Sequence, residues 1–195
     1  MDMRNTRTLP ALALSALCLA AALGCGGHNY VDVPWVDSFT PGQAAAGASV
    51  SIFGGNFKDL NSVSFGGQPA LAYKVNSLTQ ITATVPDDAV TGAITVVNTK
   101  GLGTSYSSFI VQPTITAIEP TAGPPGTVIT VTGSGFYDLF SVAINGETPG
   151  AAGASTFSYL DPNHVTVQVG SSTTTGALVL TASGLTATGP VFTVN

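Results

Sequence analysis

The sequence predicts an all-β protein: two copies of one strand-rich unit behind an N-terminal apolar leader. Three observations predict it. Apolar residues alternate with small polar ones over short runs, at Val50 and Ile52, at Ile81, Ala83 and Val85, and at Val165, Val167 and Val169. That period of two marks strands with one buried face. Turn residues bound the runs, at Pro41-Gly42, Gly54-Gly55-Asn56, Gly66-Gly67, Pro86-Asp87-Asp88 and Gly101-Leu102-Gly103. The same positions then recur further along the chain. No stretch after Cys25 carries a 3.6-residue apolar period. Composition agrees: 44% of the 195 residues are hydrophobic and only 8% charged, with 23 Gly and 12 Pro, whereas a globular chain is usually about a quarter charged.

The leader comes first. Arg4 and Arg7 make a basic start, and Leu9 to Leu23 is a nearly unbroken apolar run. The run is shorter than the roughly 20 residues a membrane-spanning helix needs, and it fits the apolar centre of a secretory signal. Arg4 and Arg7 are not adjacent, which points to general secretion rather than the twin-arginine route. The run ends in Ala22-Leu23-Gly24-Cys25. This resembles the lipobox of bacterial lipoproteins. The resemblance implies cleavage before Cys25, a diacylglyceryl thioether on its sulfur and acylation of its new amine. The alternative is an ordinary signal peptide cut near residues 20–22 or at Gly24, with Cys25 incidental. Cys25 is the only cysteine outside the leader, since Cys18 lies within it. An exported chain with one thiol forms no internal disulfide. One acyl chain holds a membrane only marginally and two hold it stably. Residues 1–24 are therefore the expected signal peptide, and 25–33 a Gly-led tether. His28 in that tether has no second histidine near it in sequence.

From Pro34 onward the chain is a duplication. Gly47, Val50, Ile52, Gly54 and Phe57 recur as Gly126, Ile129, Val131, Gly133 and Phe136, and Ser62-Val63 recurs as Ser141-Val142. The offset lengthens between Gly146 and Val165, where the second copy gains about five residues, and shortens again near Gly184. Each copy holds about seven alternating runs, the spacing of a β-sandwich. Gln112-Pro113 joins the copies almost without a linker, which restricts hinge motion. Gly54 and Gly133 follow a buried run and are expected to allow a left-handed turn. Phe57 and Phe136 fold back to close the sandwich end. Gly66-Gly67 and Asn145-Gly146 suit tight hairpins. Trp35 opens the first strand beneath the tether.

Each copy resembles an IPT/TIG domain. In the first, the carrying residues include Pro41, Gly47, Gly54-Gly55-Asn56-Phe57, Gly66-Gly67, Ile81 to Pro86, Thr91-Gly92 and Phe109. In the second they include Pro120, Gly126, Gly133-Ser134-Gly135-Phe136, Asn145-Gly146, Thr175-Gly176 and Phe192. The resemblance implies two tandem immunoglobulin-like sandwiches of the E-set kind, at residues 34–112 and 113–195. Some members, the Rel-type transcription factors, bind DNA through basic loops. Here Lys58, Lys74 and Lys100 stand singly against nine acids after Cys25, a net of −6. That balance excludes a nucleic-acid partner.

Catalytic motifs are absent from the sequence. It has no nucleophile elbow, Walker loop or paired-histidine motif. His164 follows Asp161-Pro162-Asn163, a turn, and reads as a solvated side chain. Asp87-Asp88 brings fewer oxygens than calcium requires. The expectation is a non-enzyme with no metal and no cofactor. The informative asymmetry is aromatic. Tyr137 and Phe140 stand where the first copy has Lys58 and Asn61, and the longer middle segment of the second copy is expected to add Phe157 and Tyr159. These four rings are the candidate binding residues, able to stack on sugars or fill a partner's pocket. They serve equally well as packing between or inside the sandwiches. Two readings follow. One is a lipid-anchored surface module for protein–protein interaction or spacing, in the outer membrane or at the cell surface. The other is a carbohydrate-binding module using the second copy's aromatics. Membrane contact runs through the N-terminal lipid in both.

Overall fold

The computed structural model describes residues 32–195. The leader, Cys25 and His28 lie outside the described residues. Among those described, every regular element is a strand, apart from a single 3-10 position at Asp32.

The first copy holds β1 (Trp35–Thr40), β2 (Gln43–Ala44), β3 (Ser49–Gly55), β4 (Leu60–Phe65), β5 (Gln68–Pro69), β6 (Ala72–Ser77), β7 (Gln80–Thr84), β8 (Gly92–Asn98) and β9 (Gly101–Val111). They form two sheets, ordered β1-β3-β7-β6 and β2-β9-β8-β4-β5. The second copy holds β10 (Thr114–Glu119), β11 (Ala122–Gly123), β12 (Val128–Ser134), β13 (Leu139–Ile144), β14 (Thr156–Asp161), β15 (His164–Gln168), β16 (Gly176–Ala182) and β17 (Leu185–Val194). Its sheets run β10-β12-β15-β14 and β11-β17-β16-β13. Each copy is thus an all-β sandwich of the expected class, with seven long strands. The first adds β2 and β5, and the second adds only β11.

The period of two is what fills the interior. Val50 and Ile52 on β3 pair with Ala83 and Ile81 on β7, and all four are fully buried. Ile129 and Val131 pair with Val167 and Val165 in the same way. Each such valine or isoleucine contributes about 1.5–3 kcal/mol relative to exposure. Two separate apolar clusters result, one per copy. In the first, Phe65 meets Phe109 edge-to-face at 5.0 Å. In the second, Ile144 stands in the place of Phe65, and Phe192 remains. Both copies repeat four register shifts, between Val36 and Ser38 as between Ile115 and Ala117, Leu60 and Ser62 as Leu139 and Ser141, Val75 and Ser77 as Tyr159 and Asp161, and Ala93 and Thr95 as Ala177 and Val179.

The register corrects three sequence readings. Ile81 and Val165 occupy equivalent ladder positions, so Tyr73 on β6 is the counterpart of Phe157 on β14, and Val75 the counterpart of Tyr159. Phe157 and Tyr159 are therefore substitutions in an existing strand. The extra residues lie upstream of it, in 147–155. The lost residue is not near Gly184. Thr95 pairs with Thr104 as Val179 pairs with Thr188, so the offset is still unchanged there, and the loss falls before Phe192. Finally, Gly54 and Gly133 are not left-handed. A Cβ there would run into the Trp35 or Thr114 carbonyl and the ring of Phe57 or Phe136. Their role is close approach, while the positive φ falls at Asn56 (57°) and its counterpart Gly135 (72°).

The hairpin expectation matches the structure. Gly66 and Gly67 have φ of 56° and 91°, and Asn145 and Gly146 have 53° and 69°. Trp35 lays its half-exposed ring over Gly55. Only Gln112 and Pro113 separate β9 from β10. Among the described residues, two side-chain hydrogen bonds cross the join. Asn163 Nδ2 donates to the Asp87 carbonyl at 3.0 Å, and the Thr91 and Ser183 hydroxyls bond at 3.1 Å.

Candidate functional site

The aromatic asymmetry maps to one side of the second sandwich. β14 ends one sheet and β13 ends the other. On the opposite side β10 packs against β17, while here β13 and β14 meet only lightly. The gap between these two edges is a cleft of about 380 Å³, lined by Phe140, Ser141, Val142, Pro149, Gly150, Ser155, Thr156 and Phe157.

Local geometry puts each ring there. Phe140 is the extra residue of the bulge between Leu139 and Ser141. A bulged residue leaves the ladder, and its side chain is re-aimed. Phe140 is accordingly 82% exposed. Phe157 pairs with fully buried Val167, so it points to the inner side of β14, where it is half-buried against the core. Tyr159 pairs with buried Val165 and shares that side, 43% exposed. Partial burial, the Asp161 charge and nearby Tyr137 together raise the pKa of the Tyr159 hydroxyl. Tyr137 is 57% exposed. Phe140 and Phe157 thus share the cleft, and Tyr137 and Tyr159 lie near each other outside its lining. Leu160 beside them is exposed as well.

The corresponding edges of the first copy are strapped together. The Tyr73 hydroxyl donates to the Leu60 carbonyl at 3.0 Å, from β6 across to β4. β5 further extends the β4 edge. In the second copy Phe157 has no hydroxyl to make the strap, and no strand corresponds to β5.

The wall of the cleft is the inserted segment 147–155, and one carboxylate holds it. Glu147 Oε1 accepts from the Ile144 amide at 2.9 Å. Its Oε2 accepts from the Ser155 amide and the Thr173 hydroxyl, both at 3.0 Å. The Ser155 hydroxyl bonds Thr173 at 3.0 Å and accepts from the Gly170 amide at 3.2 Å. Since Thr173 gives its proton to Glu147, Ser155 is the donor to Thr173, and a one-way chain runs from Gly170 to the carboxylate. Burial pushes the Glu147 carboxyl up, but these hydrogen bonds outweigh it and hold the pKa below its ordinary value. Glu147, Ser155 and Thr173 were not among the sequence candidates. The available signal was a single charge inside the otherwise uncharged insertion 147–155.

The remaining polar groups do not assemble a reaction centre. His164 Nδ1 lies 3.0 Å from both Asp161 oxygens, in an exposed pair three residues apart. The Asn163 amide, outweighing slight desolvation, and then His164 hold the Asp161 carboxyl below its usual range. The Ser134 hydroxyl, which lines a groove with His164, is bonded to Thr114 at 2.7 Å. Among the described residues no hydroxyl bonds the imidazole. Nor do three His, Cys, Asp or Glu side chains gather closely enough to share a metal ion, Asp59, Asp87 and Asp88 included.

No curated protein is significantly similar in sequence. Among solved structures, the chain is similar to a surface glycan-binding protein of Prevotella bryantii, at 16% identity over 77% of this chain and 37% of that one, with a TM-score of 0.44. A surface glycan-binding protein from a xyloglucan utilization locus in Bacteroides uniformis matches at 19% identity over 83% and 49%, with a TM-score of 0.37. The plexin A4 extracellular region matches at 17% identity over 92% and 20%, also with a TM-score of 0.37. The chain spans less than half the length of each. The profile of the IPT/TIG domain matches residues 34–111 and again 113–194. The chain belongs to the IPT/TIG domain family and carries that domain twice.

Proposed function

We propose that the chain is a non-enzymatic module of the bacterial cell envelope, tethered through lipid on Cys25, in which the first domain is a spacer and the second presents a binding surface to an envelope protein or glycan. One observation carries this reading. The cleft of the second domain is lined by aromatic, aliphatic and hydroxyl-bearing side chains, with no titratable group among them. Such a lining recognises, whereas acid–base chemistry needs titratable groups. Chain order supports the division of roles. β1 starts immediately after the tether and the join between domains is two residues, so the second domain stands further from the anchor along the chain.

Incorporation of radiolabelled fatty acid tests the anchor. The expected result is labelled protein that loses its label in Cys25→Ser. Label retained in that variant, or none in the parent, overturns the anchor. Photo-crosslinking from position 140 in intact cells tests the surface. The expected result is an envelope adduct that an equivalent probe at position 61 does not give. Equal adducts at both positions overturn the assignment of binding to the second domain.

A further inference from the structure

We propose that the cleft between β13 and β14 is a binding site for a neutral carbohydrate chain, with Phe140 as its stacking platform and Glu147 as the positioning residue of its wall. This rests on the second domain being the binding end. A pyranose ring has an apolar C–H face and a rim of hydroxyls. The cleft offers the complement: Phe140 and Phe157 as flat apolar faces, with the hydroxyls of Ser141 and Thr156 beside them.

Charge selects the class further. No lining side chain is ionised. The carboxylate of Glu147, which holds the wall, is committed to Ile144, Ser155 and Thr173. A sulfated, phosphorylated or uronic chain would enter without a cation to meet it and beside a fixed negative charge. A neutral chain carries no such cost. Extent argues for a chain over a single sugar. Phe157 and Tyr159 stand on one side of β14, about 7 Å apart at strand spacing, so the aromatic surface runs beyond the cleft.

The wall is held before any ligand arrives. Glu147, at the start of the insertion, ties its far end at Ser155 to the end of β13 at Ile144 and to the loop bearing Thr173. Pre-ordering a wall removes part of the ordering cost of binding. Glu147 acts through Pro149, Gly150 and Thr156, not by touching ligand, which makes it a positioning residue.

Affinity electrophoresis of the intact chain tests this, in gels cast with soluble glucans, mannans or galactans and, separately, with hyaluronate. Retardation by at least one neutral polysaccharide and none by hyaluronate is expected. Phe140→Ala should weaken retardation at least about tenfold with the melting temperature unchanged. Glu147→Ala should weaken it, and Glu147→Gln should restore part of the loss. No retardation by any neutral polysaccharide, or retardation by hyaluronate alone, overturns the ligand class. Full retardation of Phe140→Ala overturns the cleft. Full retardation of Glu147→Ala overturns the positioning role. Fatty-acid labelling and crosslinking, which test the underlying reading, are independent of these outcomes.

Discussion

The two domains share a strand plan, four register shifts and a hairpin turn, yet they differ sharply along one edge. In the first, Tyr73 reaches across from β6 to the Leu60 carbonyl, β5 extends β4, and the bulge carries Asn61. In the second, Phe157 takes the Tyr73 position, no strand matches β5, the bulge carries Phe140, and an insertion held by Glu147 forms a wall. The interior kept its apolar, buried character while individual residues changed: Phe65 gave way to Ile144, Ala83 to Val167 and Ile94 to Leu178. Burial constrains a core position through its packing, since volume changes there leave cavities or clashes. An edge position tolerates a new side chain, and a bulge aims it outward. Duplication therefore left one edge bridged by the Tyr73 hydroxyl and one lined by Phe140 and Phe157.

The largest expected effect tests what the domains have in common. Phe136→Ala removes a fully buried ring and should cost about 4 kcal/mol, with Phe57→Ala matching it in the first domain. Chemical denaturation reads both values. A small loss at either position would break the equivalence.

Next comes the Glu147 latch, which has no counterpart in the first domain. Glu147→Ala leaves the Ile144 and Ser155 amides and the Thr173 hydroxyl without their acceptor. It should cost about 2 kcal/mol and speed amide exchange across 147–155, while exchange in the first domain stays constant. The folded carboxyl titrates below its free value of 4.5. Its contribution is therefore complete above about pH 4.5 and is lost as pH falls through the folded pKa. Exchange at Ser155 that stays slow through that acid range would contradict the latch.

A smaller effect sharpens the edge contrast. Tyr73→Phe should destabilise the first domain by about 0.5–1 kcal/mol. The reciprocal Phe157→Tyr places a hydroxyl near the Leu139 carbonyl and should stabilise the second by a similar or smaller amount. Melting curves distinguish the two directions. The smallest effect is on Phe140→Ala, which should alter stability by less than about 0.5 kcal/mol because its ring is exposed. A larger loss would make it a core residue.

Much of this was legible in the sequence. Alternation at Val50, Ile52, Ile81 and Ala83 fixes which faces are buried, and local spacing is enough to see it. The repeat showed itself through Gly54, Phe57, Gly133 and Phe136, because close packing leaves little choice there. The bulge at Phe140 was not legible, since it depends on pairing with β16. The equivalence of Tyr73 and Phe157 was hidden by the insertion between Gly146 and β14, and only the ladder register reveals it. Glu147 was missed for the same reason: its partners Ile144, Ser155 and Thr173 lie on three different segments. The roles of Gly54 and Gly133 were misread because a close approach from β1 or β10 leaves no local signature.

One measurement addresses the aromatic edge most directly: affinity electrophoresis, against neutral polysaccharide, of a chain in which the second domain carries the first domain's residues, Phe140→Asn with Phe157→Tyr. Loss of retardation with an intact unfolding transition is the predicted result. Retardation equal to that of the parent chain would contradict it.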